Sequence, residues 1–398
     1  MISVFDQRPF QRNPIVPTWL SCDAAQEAKR FHETFSEYST TPLHSLSNLA
    51  KEIWLGEIYV KDESFRFGLN AFKALGASFA IGQLLARQFH VPISELHTAL
   101  ASSPELRKRC KEMTFVTATD GNHGYGVAWT SARFGAKSVV YMPQGSSLAR
   151  LQRIRDMGAK AEIVPMNYDD AVRLAADHAE KQGWEVVQDT AWTHYEQVPR
   201  DIMQGYLTLS YEAWLQMNQQ LPSHIFIQAG VGSLAASVIG FFSSFSQDKR
   251  PICIVVEPQT AACCYESVVA NDGHTRVVGG ELKTIMAGLA CGEVNPLAWP
   301  ILQNRGDFFV TIPDDFAAEA MARLAYPSKE DPRIISGESG AAGFTLLWQL
   351  CKNPEYQYLK HQFQLGPESR VLCINSEGDT DPESYLREIH RYKGRFVL

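Results

Sequence analysis

Short β-branched runs alternate with helix-period stretches along most of this chain, and that alternation narrows the possible folds more than any other feature. EIYVKD at 57–62 precedes FKALGASFAIGQLLARQF at 72–89, and MTFVTAT at 113–119 precedes GYGVAWTSARFG at 124–135. SVVYMP, SLARLQRIRDMG, AEIVPM, YDDAVRLAADHAEKQG and WEVVQD carry the series to residue 189. It resumes with HIFIQA, SLAASVIGFFSSF, ICIVVE, GAAGFTLLWQL and RVLCIN, ending at residue 375. Strand-period runs separated by helices build βαβ units, so mostly parallel sheets flanked by helices are expected. A length of 398 residues exceeds what one small core fills, and no polar linker or internal repeat divides the chain. Two closely packed α/β lobes follow. Ligands of such sheets bind beyond the carboxyl ends of strands, which directs attention to TDGNHG, QDTAW, AGVGS, VEP and NSEGDTD.

Bulk charge removes several classes of partner. A formal net charge of −7, with scattered Lys and Arg, argues against nucleic acid or an anionic membrane as the main partner. MISVFDQRPFQRNP lacks the apolar stretch of a signal peptide, and LAASVIGFFSSF is too short to span a bilayer, so a cytoplasmic location is expected. The eight cysteines form no CxxC pair and have no histidines at zinc-ligand spacing, so no metal site is expected. They read as small buried hydrophobes. Cys263, Cys264 and Cys291 share one segment, which leaves open a single cross-link under oxidation.

Five loops carry candidate chemistry. In FRFGLNAFKALGAS, Lys73 follows a glycine, an asparagine and a phenylalanine and opens a helix; it is either a solvated charge or an amine held for reaction. Gly230 and Gly232 sit between a strand and a helix, where backbone N–H groups and the helix N-terminus suit a phosphate. A tight turn needs glycine as well, and the same GxGxxA followed by a strand ending at Glu257 imitates a dinucleotide fingerprint. Asp120 and Asn122 in TDGNHG are either helix caps or polar contacts for an anionic ligand. Asp189 ends a strand, where it caps the next helix or faces a cationic substrate. Asn375 and Ser376 close the last strand, either as a polar turn or as small hydrogen-bonding groups for a heterocyclic nitrogen. SGESGA at 336–341 misses the GxSxG elbow by one position, and no GxxxxGK[ST], HExxH or EF-hand loop is present. Hydrolase, ATPase and zinc-peptidase readings lose support accordingly.

The order TPLHSL, VKDESFRFGLNAFKALGA, TDGNHG, SLARLQRIRDMGAKAEIV, QAGVGS, VEP and NSEGD resembles the pyridoxal-phosphate enzymes of fold type II, the tryptophan synthase β-like family. The resemblance runs from about Tyr38 to Asp381. More narrowly, TDGNHG, GWEVVQDTAW, TIMAGLACGE, EDPRIISGESGA and EGDTD are similar to strings of the diaminopropionate ammonia-lyases. The family implies a two-lobed α/β enzyme, with 1–77 and 193–398 as the large cofactor-binding domain and 78–192 as the small one. It implies pyridoxal 5'-phosphate as cofactor and a homodimer. By the same resemblance Lys73 binds the cofactor covalently, and Asn122 hydrogen-bonds its 3'-oxygen. Gly230, Val231, Gly232, Ser233 and Leu234 hold its phosphate, and Asn375 or Ser376 faces its ring nitrogen, with Ser376 favoured. Asn375 departs from the family's usual serine, and Ala236 and Ser237 stand where relatives carry glycines.

The reaction implied is α,β-elimination of ammonia from the small amino acid 2,3-diaminopropionate, giving pyruvate and two ammonia. The catalytic set implied is Lys73, Asp120 and Asp189. Lys73 would take the Cα proton of the L isomer, Asp120 that of the D isomer, and Asp189 would orient the β-ammonium. A serine or threonine dehydratase of the same fold is the alternative, and a nicotinamide-dependent oxidoreductase a more distant one.

Overall fold

The structure, a computed structural model, describes residues 1–12, 16–119, 121–245 and 250–396. Among these, the strands in chain order are β1 Ser3–Asp6, β2 Leu43–Ser45, β3 Glu57–Asp62, β4 Thr114–Ala118, β5 Lys137–Met142, β6 Lys160–Ile163, β7 Glu185–Val186, β8 His224–Gln228, β9 Ile252–Pro258, β10 Phe308–Ile312 and β11 Arg370–Asn375. They form a seven-stranded sheet in the order β1-β10-β9-β8-β11-β3-β2 and a four-stranded sheet in the order β6-β5-β4-β7. The chain divides into two compact units. Met1–Cys22, Thr40–Ala71 and Leu209–Leu398 hold the larger sheet, and Asp23–Ser39 and Phe72–Thr208 hold the smaller. This division groups residues 23–39, 72–77 and 193–208 with the smaller sheet, whereas the expected boundaries at 77/78 and 192/193 would group them with the larger.

In the larger unit the five central strands run parallel, and β1 and β2 close the edges antiparallel. β8 and β10 are buried along their whole length. Near-continuous apolar runs are what a parallel sheet covered on both faces requires. Phe226, Val256, Phe308 and Val310 pack with Phe344, Leu346 and Leu347 of the helix Ala342–Lys352 in one core. Each buried Phe contributes about 1.5–3 kcal/mol through removal from water. Strands β1, β2 and β10 were outside the expected series. β1 and β2 have only four and three residues, and their pairing partners, rather than their own pattern, hold them extended.

In the smaller unit every strand pairing is parallel. β5 shows the two-residue alternation of a sheet covered on both sides. Val139 and Tyr141 pack with Ala171, Ala175 and Ala179, while Val140 and Met142 pack with Ala128, Leu151 and Ile154. The helix Tyr168–Gln182 starts where the Asn167 side chain accepts the Asp170 N–H and stops at left-handed Gly183. The expected strand WEVVQD shrinks to Glu185–Val186. Beyond Val187 the side chain of Gln188 replaces the ladder, its Oε1 accepting from Ala118 N at 3.1 Å and Thr117 Oγ1 at 2.8 Å. The helix Lys73–Phe89 lies against the helix Asn122–Phe134. The approach depends on Gly126, where a Cβ would come within 2.9 Å of Ala74 Cα. Among the described residues, no helix is long and apolar enough to cross a membrane.

Candidate active site

Lys73 is the first residue of its helix and sits in the smaller unit. Its Nζ is ion-paired with Asp189, whose side chain is almost fully buried while Lys73 keeps about a fifth of its surface exposed. Gln188 explains why Asp189 stands there: with its backbone N–H donated to Tyr195 Oη and its side chain tied to β4, it holds the next residue just beyond the strand end. Burial pushes the Asp189 carboxyl up, but the Lys73 charge and His123 pull it further down, to about 2. Asp189 is therefore a carboxylate throughout the neutral range. His123 donates from Nε2 to the Val187 carbonyl at 2.7 Å, a structural contact that braces the same strand end. Asn122 opens the helix Asn122–Phe134 and is half-buried. Asp120, the expected second base, lies outside the described residues.

Tyr206 gave no signal in the sequence, because it lies in a helix, Gln197–Gln216, with no motif around it. Its ring lies tilted against Phe72, centroids 4.8 Å apart, and a Cβ on Gly76 would meet it at 2.5 Å. Its buried hydroxyl has no hydrogen-bond partner among the described residues. Burial pushes its phenol up, with the Lys73 and Asp189 charges acting in opposite directions.

The larger unit holds the remaining candidates. The loop from Gly230 to Gly232 joins β8 to the helix Ser233–Ser243. Gly232 has φ +90, a conformation that side chains rarely adopt, and a Cβ there would lie 2.7 Å from Leu302 Cδ1. Asn295 fastens the loop, donating its N–H to the Val231 carbonyl and its Nδ2–H to Ser233 Oγ, both at 2.8 Å. The N–H groups of the first helical turn, Ser233 and Leu234 among them, are those that α-helical bonding leaves over. Beyond the next strand, Glu257 and the thiols of Cys263 and Cys264 come together within 4.8 Å. Glu257 already accepts the N–H groups of Cys264 and Tyr265, capping the helix Cys263–Ala270. Among the described residues no disulfide is formed, Cys263, Cys264 and Cys291 included.

At the end of β11 the two candidates separate. Asn375 is fully committed: Nδ2 donates to Asp62 Oδ1 at 2.7 Å and to the Ile335 carbonyl at 3.0 Å, and Oδ1 accepts from Ser336 Oγ at 2.7 Å. Ser376 is also buried, and its Oγ accepts from Gln228 Nε2 at 2.9 Å. The NSEGDTD loop also ties the FRFGLNA loop in place. Asn70 donates to Asp379 at 3.0 Å, Gly378 N donates to the Asn70 carbonyl at 3.1 Å, and Ala71 bridges Glu377. Beneath that loop lies a fully buried quartet that the sequence did not disclose. Lys61 and Arg66 share Glu212, and Arg66 forks onto Glu63. Burial opposes charge on Glu212, yet Arg66 and Lys61 hold its carboxyl far below the usual range.

Comparison with known proteins finds similar sequences and structures. The family model described as "Pyridoxal-phosphate dependent enzyme" matches residues 35–376. A diaminopropionate ammonia-lyase from Salmonella typhimurium is 49% identical over 370 residues, covering 92% of both chains. A crystal structure of diaminopropionate ammonia lyase from Escherichia coli in complex with an aminoacrylate-PLP azomethine reaction intermediate superposes with a TM-score of 0.90 at 42% identity, covering 99% of this chain and 98% of that one. The same enzyme in complex with D-serine gives 0.91 at 42% identity, covering 100% and 98%.

Proposed function

Since the chain belongs to the pyridoxal-phosphate dependent enzyme family and, within it, to the diaminopropionate ammonia-lyases, we propose how its own residues divide the work. Its reaction is the pyridoxal-phosphate-dependent elimination of ammonia from 2,3-diaminopropionate, and its substrate is a small amino acid. The local chemistry fits the cofactor. A glycine cradle at a helix start suits the phosphate, an amine at Lys73 suits the aldehyde, and a hydroxyl at Ser376 suits the ring nitrogen. Asn122 is assigned to the 3'-oxygen and residues 230–234 to the phosphate. Of the two β11 candidates we choose Ser376, because every polar atom of the Asn375 side chain is already engaged. The larger unit is accordingly assigned as the cofactor-binding one.

When bound, the cofactor withdraws electrons from the substrate Cα and so acidifies its C–H bond. The chain supplies the proton handling. Lys73 Nζ, released from its charge, takes the Cα proton of the L isomer. Asp120 does so for the D isomer. The β-nitrogen must depart as neutral ammonia, since an amide anion is far too basic to leave, so it has to stay protonated until the bond breaks. Asp189, which the neighbouring cationic nitrogen keeps a carboxylate, stabilises and orients that ammonium. The protein works as a homodimer in the cytoplasm.

The half-buried Lys73–Asp189 pair at a helix start carries this reading. Borohydride reduction of the cofactor-loaded protein, followed by peptide mass analysis, is expected to leave the pyridoxyl adduct on Lys73 alone. An adduct on any other lysine, or none, overturns the assignment.

A further inference from the structure

Gln228 ends β8, next to β11, and is almost completely buried. Its Nε2 lies 3.0 Å from the Ile374 carbonyl and 3.4 Å from the Gly340 carbonyl. A carbonyl oxygen can only accept, so the amide nitrogen must face these two groups; turned over, Oε1 would be pressed against both. Its Oε1 has no partner among the described residues, which leaves the nitrogen to dictate the placement. The 2.9 Å contact with Ser376 Oγ is therefore an N–H donated by Gln228. A hydroxyl that accepts on that side must send its own proton elsewhere. Ser376 has no other hydrogen-bond partner among the described residues, and a buried hydroxyl proton without an acceptor is costly.

From this we infer that Gln228 is a positioning residue that obliges Ser376 to donate its proton to an acceptor-only group, the unprotonated ring nitrogen of the cofactor. The inference rests on the reading of Ser376 given above and adds what sets the direction of its proton. A serine free to rotate could accept from a protonated ring as readily as donate to a neutral one. With Gln228 donating to one of its lone pairs, accepting from a protonated ring as well would leave the Ser376 proton without an acceptor, so only the second choice keeps every bond. The ring nitrogen then stays neutral, which limits how long negative charge persists at the substrate carbon and favours prompt loss of the β-nitrogen.

The test is binding, not turnover. The full-length chain, freed of cofactor, is titrated with pyridoxal phosphate and with its 1-deaza analogue, in which a C–H replaces the ring nitrogen. The ratio of the two Kd values within each variant cancels general damage to the fold. For the unaltered chain a preference of about tenfold for pyridoxal phosphate is expected, the worth of one buried hydrogen bond. Gln228→Met should lower that preference to about twofold or less, and Ser376→Ala and the double variant should match it. Gln228→Glu, close to glutamine in shape, is a second probe; its carboxyl can accept from Ser376 and should also remove the preference. If both Gln228 variants keep the full preference while Ser376→Ala loses it, the Gln228 inference falls and the Ser376 reading stands. If Ser376→Ala keeps it too, the reading itself falls, and the inference with it.

Discussion

At position 189 two opposing effects act on one carboxylate, and the ion pair with Lys73 wins over desolvation. The consequence is a negative charge beside the Lys73 amine, placed where a cationic group can be held. Asp189→Asn is therefore expected to lower kcat on both isomers of diaminopropionate by about a hundredfold or more, the usual range for a lost proton-handling group. Asp120→Asn should lower turnover of the D isomer by a similar factor and that of the L isomer by less than about tenfold. Steady-state kinetics on the two isomers separate these outcomes, and equal losses for Asp120→Asn would remove its assignment as the second base. Lys73 and Asp189 were legible as candidates from their places at a helix start and a strand end. Tyr206 and Gln228 were not, because nothing local distinguishes a buried tyrosine or glutamine that serves a site from one that fills a core.

Among the elements, the helix Ser233–Ser243 and the loop before it depend most on a single residue. Gly232 combines a left-handed backbone with a close neighbour, so an added methyl meets both strain and a clash. Gly232→Ala is expected to weaken pyridoxal-phosphate binding by about tenfold or more, a loss of at least about 1.4 kcal/mol. Gly279→Ala, in the same unit and with nothing near its Cβ position, should leave the affinity unchanged. Fluorescence titration with the cofactor reads both, and an unaffected Gly232→Ala would exclude the loop as the phosphate site. The strands and helices of the βαβ series were legible because burial on two faces leaves an unbroken apolar run. The edge strands β1 and β2 were not, since a segment of three or four residues is extended only because its neighbour is. The loop leading to Lys73 shows the same dependence. Asn70 and Gly68 announce a turn, but Asp379, Gly378 and the buried Lys61–Glu212–Arg66–Glu63 group hold it in one conformation.

For the molecule as a whole, the proposed homodimer predicts a sedimentation-equilibrium mass twice that of the chain, with cofactor bound. A fully active species at the mass of one chain would exclude it. Each compact unit has its own sheet and its own core, and the candidate residues are distributed over both. What the order of residues settled alone was the α/β class, and it singled out the strand-end loops and Lys73 as candidates, since periodicity and loop composition are local properties. The tertiary structure decided which neighbours those groups have: Asp189 against Lys73, Asn375 spent on Asp62, Ile335 and Ser336, and Gln228 donating to Ser376. Hydrogen-bond direction and ion pairing depend on atoms far apart in the chain being brought within about 3 Å, and no local pattern of residue types encodes that distance.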